Sequence, residues 1–133
     1  MDAEKKPNTD RVVNGGSTLG WDLNSWGYHS DKGFLYFGNG NQSIQYSYEF
    51  NEEDVVGCGI NFKDRVVFFT LNGHMQGVAF RFIKDTILLY PAVGLSHSGT
   101  VINANFGDQT FLFNIVDYKK VRTKSTLIRY GKC

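Results

Sequence analysis

Apolar and polar side chains alternate with a period of two through the middle of this chain. Residues 55–62, 65–71 and 75–80 are three apolar segments in close succession. Successive side chains on a strand point to opposite faces, so Val56, Cys58, Ile60 and Phe62 share one face of the first segment. Val55, Gly57, Gly59 and Asn61 share the other, and their small size leaves room for a bulky ring or another backbone. In the second segment Val66, Phe68 and Thr70 alternate with Val67, Phe69 and Leu71. Both faces are apolar, which places this strand inside a sheet. Lys63-Asp64 joins the first pair as a hairpin and Asn72-Gly73 the second. A type I′ turn needs positive φ at both central residues, and Asn-Gly accepts that most readily.

The same period predicts further strands. Residues 34–37 form a short one, and in 44–50 Ile44, Tyr46, Tyr48 and Phe50 share a face against Gln45, Ser47 and Glu49. Residues 89–95 and 101–106 read as two more, and in 20–33 aromatics alternate with turn formers as short strands joined by bends. Residues 14–18 and 38–41 are loops by composition, and 51–54 is an acidic turn. No helical period appears before residue 114. Residues 117–129 have the makings of a helical turn, weakened by the β-branched Val121, Thr123, Thr126 and Ile128. Short strands with glycine-rich turns predict an all-β antiparallel sandwich. The expected layout is a flexible tail over 1–10, one domain over 11–118 and a basic tail over 119–133.

Composition narrows the class. A chain of 133 residues suits one domain, and 41% hydrophobic with 15% aromatic content can build a core. A net charge of +1 with no basic block in the centre advertises no nucleic-acid partner. Cys58 and Cys133 form no disulfide framework, which points to a reducing compartment. No segment has the apolar run of a signal peptide or a membrane span, so the expected setting is soluble, cytoplasmic or nucleocytoplasmic, with no membrane partner.

His29, Ser30 and Asp31 supply the types of a hydrolase triad, but consecutive side chains diverge on an extended backbone. They read as a turn. His29, His74 and His97 lack metal-ligand spacing, and the acidic turn lacks the alternation of a calcium loop. Gly38-x-Gly40 and Gly57-x-Gly59 have no following helix to receive a pyrophosphate. Asn41-Gln42-Ser43 is a formal glycosylation sequon, relevant only to a secreted chain. The expectation is therefore no enzyme, no metal and no cofactor, but a rigid β scaffold presenting loops to a protein partner.

Several motifs together carry a resemblance. Gly20-Trp21-Asp22 and Ser25-Trp26-Gly27-Tyr28-His29-Ser30-Asp31-Lys32-Gly33 are similar to the opening motifs of SPRY (B30.2-like) domains. So are Asp54-Val55-Val56-Gly57-Cys58-Gly59-Ile60-Asn61 and Val67-Phe68-Phe69-Thr70-Leu71-Asn72-Gly73-His74. Leu89-Tyr90-Pro91-Ala92-Val93-Gly94-Leu95 and Asn103-Ala104-Asn105-Phe106-Gly107 follow in the family's order. The Phe113-Asn114-Ile115-Val116-Asp117-Tyr118 ending resembles the Ran-binding-protein-M-like subgroup most closely.

The resemblance implies a bent β-sandwich of concanavalin-like jelly-roll topology that binds protein partners without catalysis. It implies a scaffold or substrate-receptor role in ubiquitin-ligase complexes, or alternatively a secreted SPRY effector of a parasite, acting on host immunity proteins, if a signal peptide lies upstream. Partner contacts in the family come from loops at one end of the sandwich. Here those loops carry Asn14, Gly15, Ser17 and Thr18 on one side and Ser96, His97 and Ser98 on the other. Trp21, Trp26, Tyr28 and Phe106 read as core. The family's earlier strands, reading roughly YYEVxI and IGLS, have no counterpart before Arg11. The expectation is a sandwich incomplete at its N-terminus, with edges and apolar faces left open.

Overall fold

The structure, a computed structural model, describes residues 19–20, 25–37, 42–83, 89–121 and 128–132. Two antiparallel sheets make up the fold. The first contains β1 (Trp26–Tyr28), β2 (Phe34–Phe37) and β3 (Gln42–Gln45) in that order. The second contains β4 (Val56–Asn61), β5 (Val66–Leu71) and β6 (His74–Arg81), with β7 (Ile128–Lys132) at its edge. Its order is β6-β5-β4-β7. Helix α1 (Ile115–Val121) precedes β7.

The central strand is the one the pattern selected. β5 pairs with β4 on one side and β6 on the other, and Val66, Phe68, Phe69 and Thr70 are all buried. Its two faces pack against different partners. Phe69 meets Tyr28 and Tyr46 at ring-centroid distances of 5.3 and 6.1 Å. Phe80 of β6 adds Trp26 at 6.0 Å and Phe37 at 5.9 Å, so these rings join the two sheets. On the opposite face Phe68 meets Tyr118 of α1 at 5.1 Å and Phe113 at 5.6 Å. Phe68 lies directly across from Gly59 in the ladder, and a Cβ on Gly59 would stand 2.2 Å from its ring. The small-residue face of β4 thus receives an aromatic ring, as its composition predicts.

Both hairpins form. Asn72 (φ 49°) and Gly73 (φ 85°) reverse the chain between β5 and β6, with Leu71 opposite His74. Between β4 and β5 the connection spans Phe62 to Arg65 rather than Lys63-Asp64 alone, because Asn61 pairs with Val66 and Asp64 N–H donates to Asn61 Oδ1 at 3.0 Å.

Three strand expectations are corrected. The segment expected over 44–50 is β3 at 42–45, after which the chain bends and Gly33 O accepts both Tyr46 N–H (3.2 Å) and Ser47 N–H (3.1 Å). Ile44 and Tyr48 are exposed, while Tyr46 and Phe50 turn inward against Tyr28. Residues 89–95 and 101–106 are not strands, since a strand exists only where a neighbour supplies ladder bonds. Among the described residues no strand pairs with either, and Tyr90, Val101 and Phe106 are largely exposed. Phe106 is therefore surface rather than core, whereas Trp26 and Tyr28 are partly buried in the ring cluster. Trp21 lies outside the described residues.

The stretch read as a basic tail contains the end of α1 and strand β7. The helix begins where Asn114 Oδ1 accepts Asp117 N–H at 3.0 Å while Asn114 Nδ2 donates back to Asp117 Oδ2 at 2.6 Å. This is the reciprocal geometry of a helix N-cap.

Tyr46 occupies the place where the β5–β6 ladder is irregular. The register slips between Phe68 and Thr70, leaving Phe69 without a partner residue on β6. Tyr46 Oη accepts the Phe69 N–H at 3.2 Å and donates to Gly77 O at 2.6 Å, Gly77 having φ 104°. A side-chain hydroxyl thus completes the ladder across a bulge. Burial pushes this phenol from 10.0 up to about 12, against the opposing effect of the Phe69 hydrogen bond. A folded pKa above the unfolded one gives stability that is fully present below pH 10 and lost as pH rises through 12. Tyr46→Phe is expected to cost about 1–3 kcal/mol at neutral pH, because it orphans Phe69 N–H and Gly77 O. In denaturant titrations the gap between wild type and variant should narrow above pH 10; a constant gap would refute this account.

Candidate functional site

Ser96, His97 and Ser98 lie together in one exposed turn. Gly99 has φ 82°, the left-handed region that glycine enters without penalty, and Thr100 N–H closes the turn on His97 O at 3.4 Å. Ser96 Oγ stands 2.9 Å from His97 Nδ1. The turn offers two hydroxyls and an imidazole to solvent, groups that can both donate and accept hydrogen bonds. Asn14, Gly15, Ser17 and Thr18 lie outside the described residues.

The residue that follows Thr18 is described, and it lies near the segment before the Ser96–Ser98 turn. A Cβ on Gly94 would lie 3.8 Å from Leu19 Cγ, so the segment leading into the Ser96–Ser98 turn passes beside the Leu19 side chain. Leu19 O accepts a hydrogen bond from His29 Nε2 at 2.8 Å. A carbonyl can only accept, which puts a proton on Nε2. Gly27 permits this approach, since a Cβ there would stand 2.6 Å from Leu19 O. The His29 ring lies over Tyr36 at 4.2 Å, and its Nδ1 is 3.9 Å from Asp31 Oδ1. Next in the chain, Gly20 N–H donates to Ser25 Oγ at 2.7 Å, with Gly20 at φ 91°.

His29 therefore ties down the backbone at Leu19. The sequence reading placed it in a turn and missed this role. The spacing between Leu19 and His29 carries no motif by which to find it. Ser30 contributes its backbone, accepting Phe50 N–H at 3.3 Å. No relay geometry links His29, Ser30 and Asp31.

A second concave surface lies outside the expected site. Ile102, Asn103, Ala104, Asn105, Asp108 and Gln109 line an open cavity of about 510 Å³. Asn105 shapes its rim: Oδ1 accepts Gly107 N–H at 3.0 Å and Gln109 N–H at 3.2 Å, and Nδ2 donates to Gln109 O at 3.0 Å. Its lining is rich in amides, which both donate and accept hydrogen bonds. Among the described residues no group of three or more His, Cys, Asp or Glu side chains could hold a metal ion, and no helix is long and apolar enough to cross a membrane.

Comparison with known proteins matches the SPRY domain to residues 5–109, a span that starts and ends somewhat earlier than the expected 11–118. The chain is 43% identical over 106 residues to Ran-binding protein 9 of Xenopus tropicalis, covering 79% of this chain and 19% of that protein. It is 42% identical over 106 residues to Ran-binding protein 10 of Danio rerio, covering 80% and 17%. A Ran-binding protein M homolog of Arabidopsis thaliana is 37% identical over 100 residues, covering 75% and 21%. The chain thus spans about a fifth of the length of these curated relatives.

Proposed function

The chain belongs to the SPRY domain family, and from that premise we propose that it is a noncatalytic module that grips a partner peptide or folded domain through loops at one end of its sandwich. The gripping residues are Asn14, Gly15, Ser17 and Thr18 from one loop and Ser96, His97 and Ser98 from the other. The observation that supports the reading is that Gly94, just before the exposed Ser96–Ser98 turn, lies beside Leu19, the residue that follows Thr18 in the chain. Polar loop side chains on a rigid scaffold are the usual means by which a sandwich recognises a partner. The setting we infer is a scaffold or substrate-receptor role in a ubiquitin-ligase-type complex, in the cytoplasm or nucleus.

His97→Ala and the Ser17→Ala/Thr18→Ala double variant test this. Affinity capture with the full-length gene product should recover a partner that each variant retains about tenfold less well, a loss of roughly 1.4 kcal/mol. The melting temperature should not move, as the reading requires of side chains that serve the partner, and the Ser96–Ser98 turn is exposed. A melting loss that matches the binding loss would refute the assignment, as would capture unaffected by either change.

A further inference from the structure

The Asn72-Gly73 turn does more than reverse the chain. Asn72 Oδ1 accepts Val55 N–H at 2.8 Å, and Asn72 Nδ2 donates to Asp54 Oδ1 at 2.9 Å. Asn72 N–H also donates to Val55 O at 2.8 Å. Asp54 completes the arrangement by accepting Asn51 N–H on Oδ2 at 2.8 Å. One exposed amide therefore ties the tip of the β5–β6 hairpin to the acidic turn that leads into β4. The Asn72 amide, followed by the Asn51 N–H, holds the Asp54 carboxyl below its ordinary 3.8. The residue after this amide is glycine, which has no side chain to shield its backbone nitrogen.

We propose that Asn72 is a modification site, where intramolecular deamidation converts the amide that closes this clamp into a carboxylate that holds it open. The Gly73 nitrogen attacks Asn72 Cγ, forming a C–N bond and a cyclic succinimide. The Cγ–Nδ2 bond breaks, and the departing nitrogen leaves as ammonia with the proton given up by Gly73. Water then adds across either ring carbonyl, giving aspartate or isoaspartate, and nothing is oxidised or reduced. In the closed clamp both amide atoms are engaged, so attack waits for the hairpin tip to open.

The product cannot restore the clamp. Conversion removes the donor that Asp54 accepts from and sets a second carboxylate beside it, where like charges disfavour each other. The acidic turn adds Glu52 and Glu53, while β6 carries His74 at its start and the cationic Arg81 at its far end. Residues 110–113, which approach Gly73 through Leu112 O, contribute no charged side chain. Isoaspartate also inserts a backbone atom into a two-residue turn whose geometry sets the β5–β6 register.

The test uses the full chain, incubated in mildly alkaline buffer either folded or unfolded in urea, then mapped by mass spectrometry for aspartate and isoaspartate. Asn14-Gly15 and Asn39-Gly40 provide reference sites in the same digest. Asn72 should convert in both samples, at least about tenfold more slowly in the folded one. Equal rates at Asn72 would overturn the proposal, as would no folded-state conversion over a period that exhausts the unfolded sample. Asn72→Gly deletes the amide while keeping the positive φ, and Asn72→Asp adds the charge. Asn72→Asp should melt below Asn72→Gly at neutral pH, with the gap closing as pH falls through the carboxylate range. Equal melting at every pH would overturn it.

Discussion

Replacing Phe68 with alanine is expected to cost about 3–5 kcal/mol, a large share of the stability of any small domain. Phe68 is fully buried, and its ring is enclosed by Gly59 across the ladder, Phe113 before α1 and Tyr118 on α1. These neighbours belong to a strand, a loop and a helix, so no small movement closes the resulting cavity. Gly59→Ala attacks the same contact from the other side. Its Cβ would stand 2.2 Å from the ring, and a ring so enclosed cannot step aside, so overpacking should cost about 1–3 kcal/mol. The double variant decides whether this contact is the cause. With Phe68 truncated the new methyl has space, so Gly59→Ala should cost about 1 kcal/mol less in the Phe68→Ala background, measured by urea unfolding of the full chain. Strict additivity would mean that glycine serves β4 through its backbone alone.

The contrast between what the sequence foretells and what it conceals follows the range of the forces involved. β5 is legible because both its faces are apolar, and only a central strand needs that. The Asn72-Gly73 turn is legible because its geometry depends on two adjacent residues. Residues 89–95 and 101–106 have the alternation of strands, but a ladder is a property of pairs, and alternation cannot say whether a partner is in place. Tyr46 shares the period of Ile44 and Tyr48, yet the bulge near Gly77, distant in the chain, draws it out of β3 and into the β5–β6 gap. Helix α1 spans seven residues, too few for a period to emerge. Its signal was Asn114-x-x-Asp117, a capping spacing that a search for periodicity passes over. At the candidate site, the polar Ser96–Ser98 loop could be read as exposed, while the approach of Gly94 to Leu19 joins positions too far apart for any local pattern.

Asn61→Asp should be strongly destabilising at neutral pH. Asn61 is fully buried and satisfied: Nδ2 donates to Asp64 Oδ2 at 2.9 Å and Tyr118 Oη at 3.1 Å, and Oδ1 accepts Asp64 N–H at 3.0 Å. This one amide fixes the β4–β5 turn and binds α1 to the second sheet. An aspartate of the same shape loses both donations and directs a charge at the Asp64 carboxylate. An uncompensated buried charge costs about 3–5 kcal/mol. Burial and the neighbouring carboxylate both favour the neutral form, so the introduced group has a folded pKa above its unfolded one. Its penalty therefore grows as pH rises through the carboxylate range and recedes as pH falls. Asp54 works in the opposite direction: its carboxyl is lowered in the fold, so its contribution is present above 3.8 and lost as pH falls below it. Asn61→Leu separates charge from hydrogen bonding, since it leaves Asp64 N–H and Tyr118 Oη without this partner but adds no titrating group. Its deficit should be smaller and nearly constant with pH, whereas that of Asn61→Asp should shrink toward acid. Parallel pH profiles for the two variants would show that Asn61 acts by filling space and not by joining the turn to the helix through its amide.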